Sequence, residues 1–197
     1  MNHAVLLDRD GVITEDPPHY AYRVEQVQII PRSGEAIRLL NEMGYLVIVV
    51  SNQSGVARGY YREPDITRFN DEMMRQLSLD GAHIDAIYYC PHHPDAKIDK
   101  YRSTCRCRKP QPGMLLKAAE EHHINLEKSY IIGDKMSDIE AGKRAGCRGI
   151  LVVTGHGAEE SLRVKDGDCL IAADLYDAAS RYIRDGSEIF SRIGDDS

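Results

Sequence analysis

The sequence predicts an α/β protein: a three-layer, doubly wound, mostly parallel sheet with helices on both faces. Three observations carry this. Short apolar runs alternate with amphipathic, helix-length segments along most of the 197 residues. The clearest run, Tyr45-Leu46-Val47-Ile48-Val49-Val50, is apolar throughout, as a strand buried on both faces should be. Several runs end in polar or acidic segments: Asp8-Arg9-Asp10-Gly11, Ser51-Asn52-Gln53-Ser54-Gly55 and Gly133-Asp134. Open α/β sheets place their ligands at that carboxyl edge.

The elements follow in order. His3 to Leu7 reads as the first strand. Residues 14–31 read as irregular, because Pro17-Pro18 cannot sit in a helix interior; a loop this long directly after paired aspartates is more often functional than idle. Ser33 is the expected N-cap of a helix through Met43, closed by Gly44. The strand at 45–50 follows, then a helix from about Asp65 to Leu79 with Ile66, Phe69, Met73 and Leu77 as its apolar stripe. Ile84 to Tyr89 is a strand. Residues 90–109 are a Cys- and His-rich insertion. Gly113 to His122 is a helix opened by Pro112, and Tyr130 to Asp134 is a strand. Ser137 is the expected cap of a helix closed by Gly146, and Gly149 to Val153 is the fifth strand. A weaker strand near Cys169 to Ile171 and a helix from Leu175 to Ile183 complete one domain over 1–185. The polar stretch 186–197 is expected to be a frayed tail. No segment is long enough for a large cap domain, and no internal repeat is present.

Composition narrows the function. The net charge of −6, with 42% hydrophobic and 28% charged residues, argues for a globular domain and against a nucleic-acid or anionic-membrane surface. No stretch approaches the ~20 apolar residues of a membrane span, and Met1-Asn2-His3-Ala4 opens no signal peptide. The expected location is cytoplasmic, so the five cysteines suggest metal binding or free thiols before disulfides. Asn52-Gln53-Ser54 matches the glycosylation sequon, which has no meaning without secretion. A monomer is expected.

A parallel sheet brings its carboxyl ends together, so Asp8, Asp10, Ser51, Asn52 and Asp134 should converge, with Asp138 one helical turn on. Gathered carboxylates repel unless a hard cation neutralises them; magnesium suits, with oxygen ligands and positions left for phosphate. Phosphoryl transfer needs an in-line nucleophile, a cation, hydrogen-bond donors and an acid for the leaving group. Asp8 can attack phosphorus. Asp10 can protonate the leaving alkoxide and then activate water. Ser51 and Lys109 can hold the phosphoryl oxygens.

Asp8-Arg9-Asp10-Gly11, Ser51-Asn52-Gln53, Lys109 and Gly133-Asp134-Lys135-Met136-Ser137-Asp138 resemble, in order, the four motifs of the haloacid dehalogenase superfamily of phosphatases. Longer strings, Ser51 to Gly59, Tyr88 to Pro94, Cys105 to Pro110 and Pro112 to Leu115, are similar to its capless heptose-bisphosphate and histidinol-phosphate phosphatases. The resemblance runs from about Val5 to Gly155. It implies magnesium on the Asp8 carboxylate, the Asp10 carbonyl and Asp134, with Asp138 behind them. It implies substrate contacts from Asp16, His19, Tyr20, Asn52, Gln53, Ser54, Arg58, Arg108 and Lys135. Val12 and Ser51 stand where many relatives have Thr. The implied reaction is removal of the 7-phosphate of D-glycero-D-manno-heptose 1,7-bisphosphate through an aspartyl-phosphate, on a route to lipopolysaccharide core or nucleotide-activated heptoses. The alternative is a histidinol-phosphate phosphatase of histidine biosynthesis. An idle binding protein would have lost Asp8, Asp10 or Lys109.

Cys90-x-His92 and Cys105-x-Cys107 are four soft ligands in two pairs, able to close a tetrahedron around a structural zinc. His93 competes with His92, and the family pattern selects His92. The polar loop 94–104 has little to bury, so a metal is a sensible staple for it. Cys147 and Cys169 are expected to be small core residues.

Overall fold

The computed structural model describes residues 1–165 and 167–185; the expected tail at 186–197 lies outside the described residues. Six parallel strands form one sheet: β1 (Ala4–Leu7), β2 (Leu46–Asn52), β3 (Ala86–Cys90), β4 (Tyr130–Gly133), β5 (Arg148–Val152) and β6 (Leu170–Ala172), in the order β3-β2-β1-β4-β5-β6. The first strand therefore lies inside the sheet, pairing Leu7 with Val49 on one side and with Ile132 on the other. Strand order reverses at β1 and β4, and the crevice beyond their carboxyl ends is where doubly wound sheets take ligands.

Side chains alternate along each strand and feed two cores. On one face Val5, Leu7, Val47, Val49 and Ile132 pack with Ile37 and Leu40 of α1 (Ser33–Glu42) and with Phe69, Met73 and Leu77 of α2 (Glu63–Leu79). On the other, Ala4, Leu6, Ile48, Val50 and Ile131 meet Met114, Leu115 and Ala118 of α3 (Gly113–His122) and Ala141 of α4 (Met136–Ala145). The predicted stripe of α2 is buried as read. Two short helices, α5 (Gly157–Glu160) and α6 (Leu175–Asp177), follow β5 and β6, and α6 runs on as a π-helix over Ala178–Arg184. Residues 14–31 are irregular apart from a 3-10 turn at Val24–Gln26 and isolated bridges, as expected.

Several expectations need correction. Ser33 does not cap α1; it lies inside the helix and donates its hydroxyl to Val12 O at 3.2 Å, while Arg32, at φ 66°, is the capping residue. Ser137 does not cap α4 either. The cap is Lys135, whose amide donates to the Asp138 carboxylate at 3.1 Å. At α4 the Asp138 carboxylate takes the serine's place as local acceptor; at α1 the serine hydroxyl is spent as a donor to Val12 O and no side chain caps the helix. Strand β2 runs two residues further than its apolar run, carrying Ser51 and Asn52 into the sheet edge. Cys147 is a core residue, but Cys169 is only half-buried.

Candidate active site

Asp8 follows β1 and is buried. Its Oδ1 accepts the Arg9 amide at 2.8 Å and lies 3.1 Å from Lys109 Nζ. Burial alone would raise this carboxyl, but the Lys109 and Lys135 ammonium groups and the Arg9 amide hold it below the usual carboxylate range. Lys109 is itself only 2% exposed. Its ammonium donates to Val50 O at 2.6 Å and pairs with Asp138 Oδ1 at 2.6 Å. Burial works against its charge, and Asp138 and Asp8 more than compensate, raising its pKa. Asn52 sets this lysine in place: its side chain donates to Lys109 O and accepts from Lys109 N, each at 3.1 Å.

Asp134, at the end of β4, is fully buried. Its Oδ2 accepts the His156 amide at 2.9 Å, whereas Oδ1 has no hydrogen-bond partner and has the Lys135 ammonium 3.4 Å away. Burial and then the charge of Asp8 push its carboxyl up to about 7. Burial likewise lifts Asp138 to about 6, against the opposing pull of Lys109. One oxygen from each of Asp8, Asp134 and Asp138 lies within 4.8 Å of the others. Since Asp138 is committed to Lys109 and to the α4 cap, Asp8 and Asp134 are the carboxylates available to a cation. The orphaned Asp134 oxygen and the all-oxygen donor set fit a hard divalent ion. Two glycines make the room: a Cβ on Gly11 or Gly155 would stand 2.3 or 2.4 Å from Asp134 Oδ2, and both have positive φ.

The Asp10 carboxylate stands outside that cluster, held by Arg9. Arg9 Nε donates to its Oδ1 at 2.8 Å and Nη2 to its Oδ2 at 3.1 Å. Arg9 is buried, lies over the Phe69 ring at 4.3 Å and donates to Asn70 Oδ1 at 2.9 Å. It therefore acts as an internal strut beneath Asp10. Gln53, expected to line the substrate, is 2% exposed and stands behind the site. Its Nε2 donates to Asp10 Oδ2 and to Ser51 Oγ, both at 2.9 Å.

A cleft of roughly 1040 Å³ opens above these groups, lined by Asp8, Asp10, Lys109 and Asp138 and by Asp16, His19, Tyr20, Asn52, Ser54, Arg58, Arg108 and Lys135. Of the predicted substrate residues only Gln53 falls outside it. Tyr60, Tyr61, Ser137 and His156 also line it and were not foreseen. His156 follows β5, at the same sheet edge that flagged the other residues, so the same rule could have found it. Its Nε2 lies 3.2 Å from Asp16 Oδ2, which also lies 3.3 Å from Lys135 Nζ, fixing the loop after β1 against the sheet edge.

Beside the cleft, Cys90, His92, Cys105 and Cys107 bring one ligand atom each within 4.8 Å of the rest. The Cys107 sulfur is 3.0 Å from each of the other two, and His92 Nδ1 is 3.5 Å from it. Burial and the bond to Cys107 push the Cys90 thiol up. Three sulfurs and one imidazole nitrogen are a donor set for zinc. His93 is engaged elsewhere, its Nδ1 accepting the Asp95 amide at 3.0 Å. The loop is tied to its surroundings: the Lys97 and Ile98 amides donate to Ala57 O at 3.0 and 3.1 Å, and Tyr101 donates to Glu63 at 2.6 Å.

A carboxylate pair, a hydroxyl, a buried lysine and an acid for a cation, each at the carboxyl end of a parallel sheet, define a hydrolase of the haloacid dehalogenase type. Residues 106–178 match the HAD-hydrolase-like family model. The chain is 44% identical over 156 residues to a D-glycero-beta-D-manno-heptose-1,7-bisphosphate 7-phosphatase of Pasteurella multocida, covering 79% of this chain and 84% of that one. It is 42% identical to a D-glycero-alpha-D-manno-heptose-1,7-bisphosphate 7-phosphatase of Burkholderia mallei, covering 77% and 80%. A solved structure of D,D-heptose 1,7-bisphosphate phosphatase from B. bronchiseptica, complexed with magnesium and phosphate, superposes with a TM-score of 0.85 at 32% identity, covering 93% of this chain and 99% of that one. The chain belongs to the heptose-bisphosphate phosphatase family of the haloacid dehalogenase superfamily, and it is a phosphoric monoester hydrolase. Among the described residues no helix is long and apolar enough to cross a membrane.

Proposed function

We propose that this chain removes the 7-phosphate of D-glycero-D-manno-heptose 1,7-bisphosphate, leaving heptose 1-phosphate. One observation carries the reading: in a chain so similar to relatives of that name, the cleft has phosphoryl-transfer groups at its floor and separate cations, Arg58 and Arg108, on its wall. A bisphosphate needs both sets, one for the phosphate that leaves and one for the phosphate that stays.

Asp8, ionised by its lysine neighbours, attacks phosphorus, and the bond from phosphorus to the sugar oxygen breaks. Asp10 gives its proton to that oxygen. Asp10 then takes a proton from water, the hydroxide attacks the aspartyl-phosphate, and inorganic phosphate leaves with Asp8 restored. Lys109 and the Ser51 hydroxyl hold the phosphoryl oxygens through both steps. Asp8, Asp134 and the Asp10 carbonyl would hold magnesium, which when bound neutralises charge on those oxygens. Asp138 keeps Lys109 charged and aimed. Asp16, His19, Tyr20, Asn52, Ser54 and Lys135 frame the sugar. Cys90, His92, Cys105 and Cys107 would hold a structural zinc that anchors the loop bearing Arg108. The reading includes a cytoplasmic monomer acting on a small phosphorylated sugar, with no nucleic-acid or membrane partner; a dimer in light scattering would remove the monomer part.

The test is phosphate release from both anomers of heptose 1,7-bisphosphate and from histidinol phosphate, with and without magnesium. Magnesium-dependent turnover of a heptose bisphosphate is expected. Higher kcat/KM on histidinol phosphate would overturn the substrate assignment.

A further inference from the structure

Gln53 is a buried amide with its polar positions engaged, and the hydroxyl that orients it comes from Tyr61. Tyr61 donates to Gln53 Oε1 at 2.7 Å, so the amide turns its Nε2 toward Asp10 Oδ2 and Ser51 Oγ. The opposite orientation would set the amide oxygen against the Asp10 carboxylate, acceptor to acceptor. Because Ser51 Oγ accepts from Gln53, the serine's own hydrogen is free to point elsewhere, toward a phosphoryl oxygen. One amide thus positions the acid/base and a phosphoryl donor together. Tyr61 is itself held firmly. It is 6% exposed, stacks on Tyr22 at 5.1 Å and meets the edge of Tyr20 at 5.9 Å. It also fills the space above Gly55, where a Cβ would lie 2.1 Å from its ring. Burial pushes its phenol up, so the hydroxyl remains a donor.

We propose that Tyr61 is a positioning residue for the phosphatase reaction, acting through Gln53 to hold Asp10 and to turn the Ser51 hydroxyl into the site. This rests on the phosphatase reading above. The Tyr61 ring borders the cleft, but its hydroxyl is committed to Gln53 Oε1, so the effect of removing that hydroxyl falls on turnover.

The experiment is a double-mutant cycle of Tyr61→Phe and Gln53→Leu, with kcat and KM measured on heptose 1,7-bisphosphate and p-nitrophenyl phosphate as a generic control. Tyr61→Phe keeps the ring packing and should leave the melting temperature within a few degrees. It should lower kcat on the bisphosphate about three- to tenfold, the worth of one hydrogen bond, with KM unchanged. In the Gln53→Leu background it should have no further effect on kcat, which a merely structural role would not predict. Wild-type kcat in Tyr61→Phe, a loss expressed in KM alone, or an undiminished loss on top of Gln53→Leu would overturn the proposal while leaving the phosphatase reading intact. No turnover of either substrate by the wild-type chain would overturn both.

Discussion

At the scale of single residues, the site is a set of charges kept apart by assigned partners. Asp8 and Asp134 share a crevice, yet one is held ionised by two lysines and the other is lifted to about 7. That asymmetry is consistent with the proposed roles, in which Asp8 attacks as a charged nucleophile and Asp134 would hold the cation. Replacing Asp8 by Asn should abolish phosphate release and leave the circular-dichroism spectrum unchanged; retained turnover would remove it as nucleophile. Gly11→Ala should strain a position with φ +84° and push a methyl group against Asp134 Oδ2. The magnesium concentration for half-maximal activity should then rise about tenfold or more, the equivalent of ~1.4 kcal/mol. An unchanged magnesium requirement would show that the crevice yields without cost. Residue types at strand ends were readable because acids, a serine and a lysine at one sheet edge have few other uses. The burial of Gln53 was not readable, because its partner Tyr61 is eight residues on and nothing local says which way an amide faces.

At the scale of elements, α2 does two jobs. The buried stripe of α2 closes one core, and its Phe69 and Asn70 fix Arg9 under Asp10. Leu77 lies on the same stripe, fully buried and not among the residues lining the cleft, so Leu77→Ala should cost about 2–5 kcal/mol of stability, read from chemical denaturation, with kcat preserved in the folded fraction. Loss of activity without loss of stability would contradict the division. The Cys/His loop connects to the cleft by two routes: Cys107 lies directly before Arg108, and the loop's amides hold Ala57 beside Arg58. On the proposed zinc site, treatment with a chelator, or substituting Cys107→Ser, should lower the melting temperature and raise KM more than it lowers kcat. A kcat effect alone would mean that the loop serves the chemistry directly. The period of the apolar residues made α2 and α3 legible nearly to their ends. Capping was misread at Ser33 because its hydroxyl is used as a donor to Val12 O across the fold, and at Ser137 because the Asp138 carboxylate is the stronger acceptor; local preference sees neither.

At the scale of the molecule, the net charge is −6, and the cleft gathers four cations, Lys109, Lys135, Arg58 and Arg108; both lysines are paired with aspartates, so Arg58 and Arg108 carry most of the attraction for an anionic substrate. Magnesium should stabilise the whole fold by mass action, about 2.7 kcal/mol at a hundredfold excess over Kd, raising the melting temperature of the wild type and not of Asp134→Asn. An equal rise in both would place the ion elsewhere. The sheet order has a further consequence. Of the six strands, β1 comes first although it is one of the two central ones, and the neighbour that completes it begins only at Tyr130. During synthesis, Asp8 must wait with one flank uncovered while more than half the protein emerges. A ribosome stalled before β4 holds a nascent chain with Asp8 and Lys109 but without Asp134 and Asp138, so the proposed site is completed late.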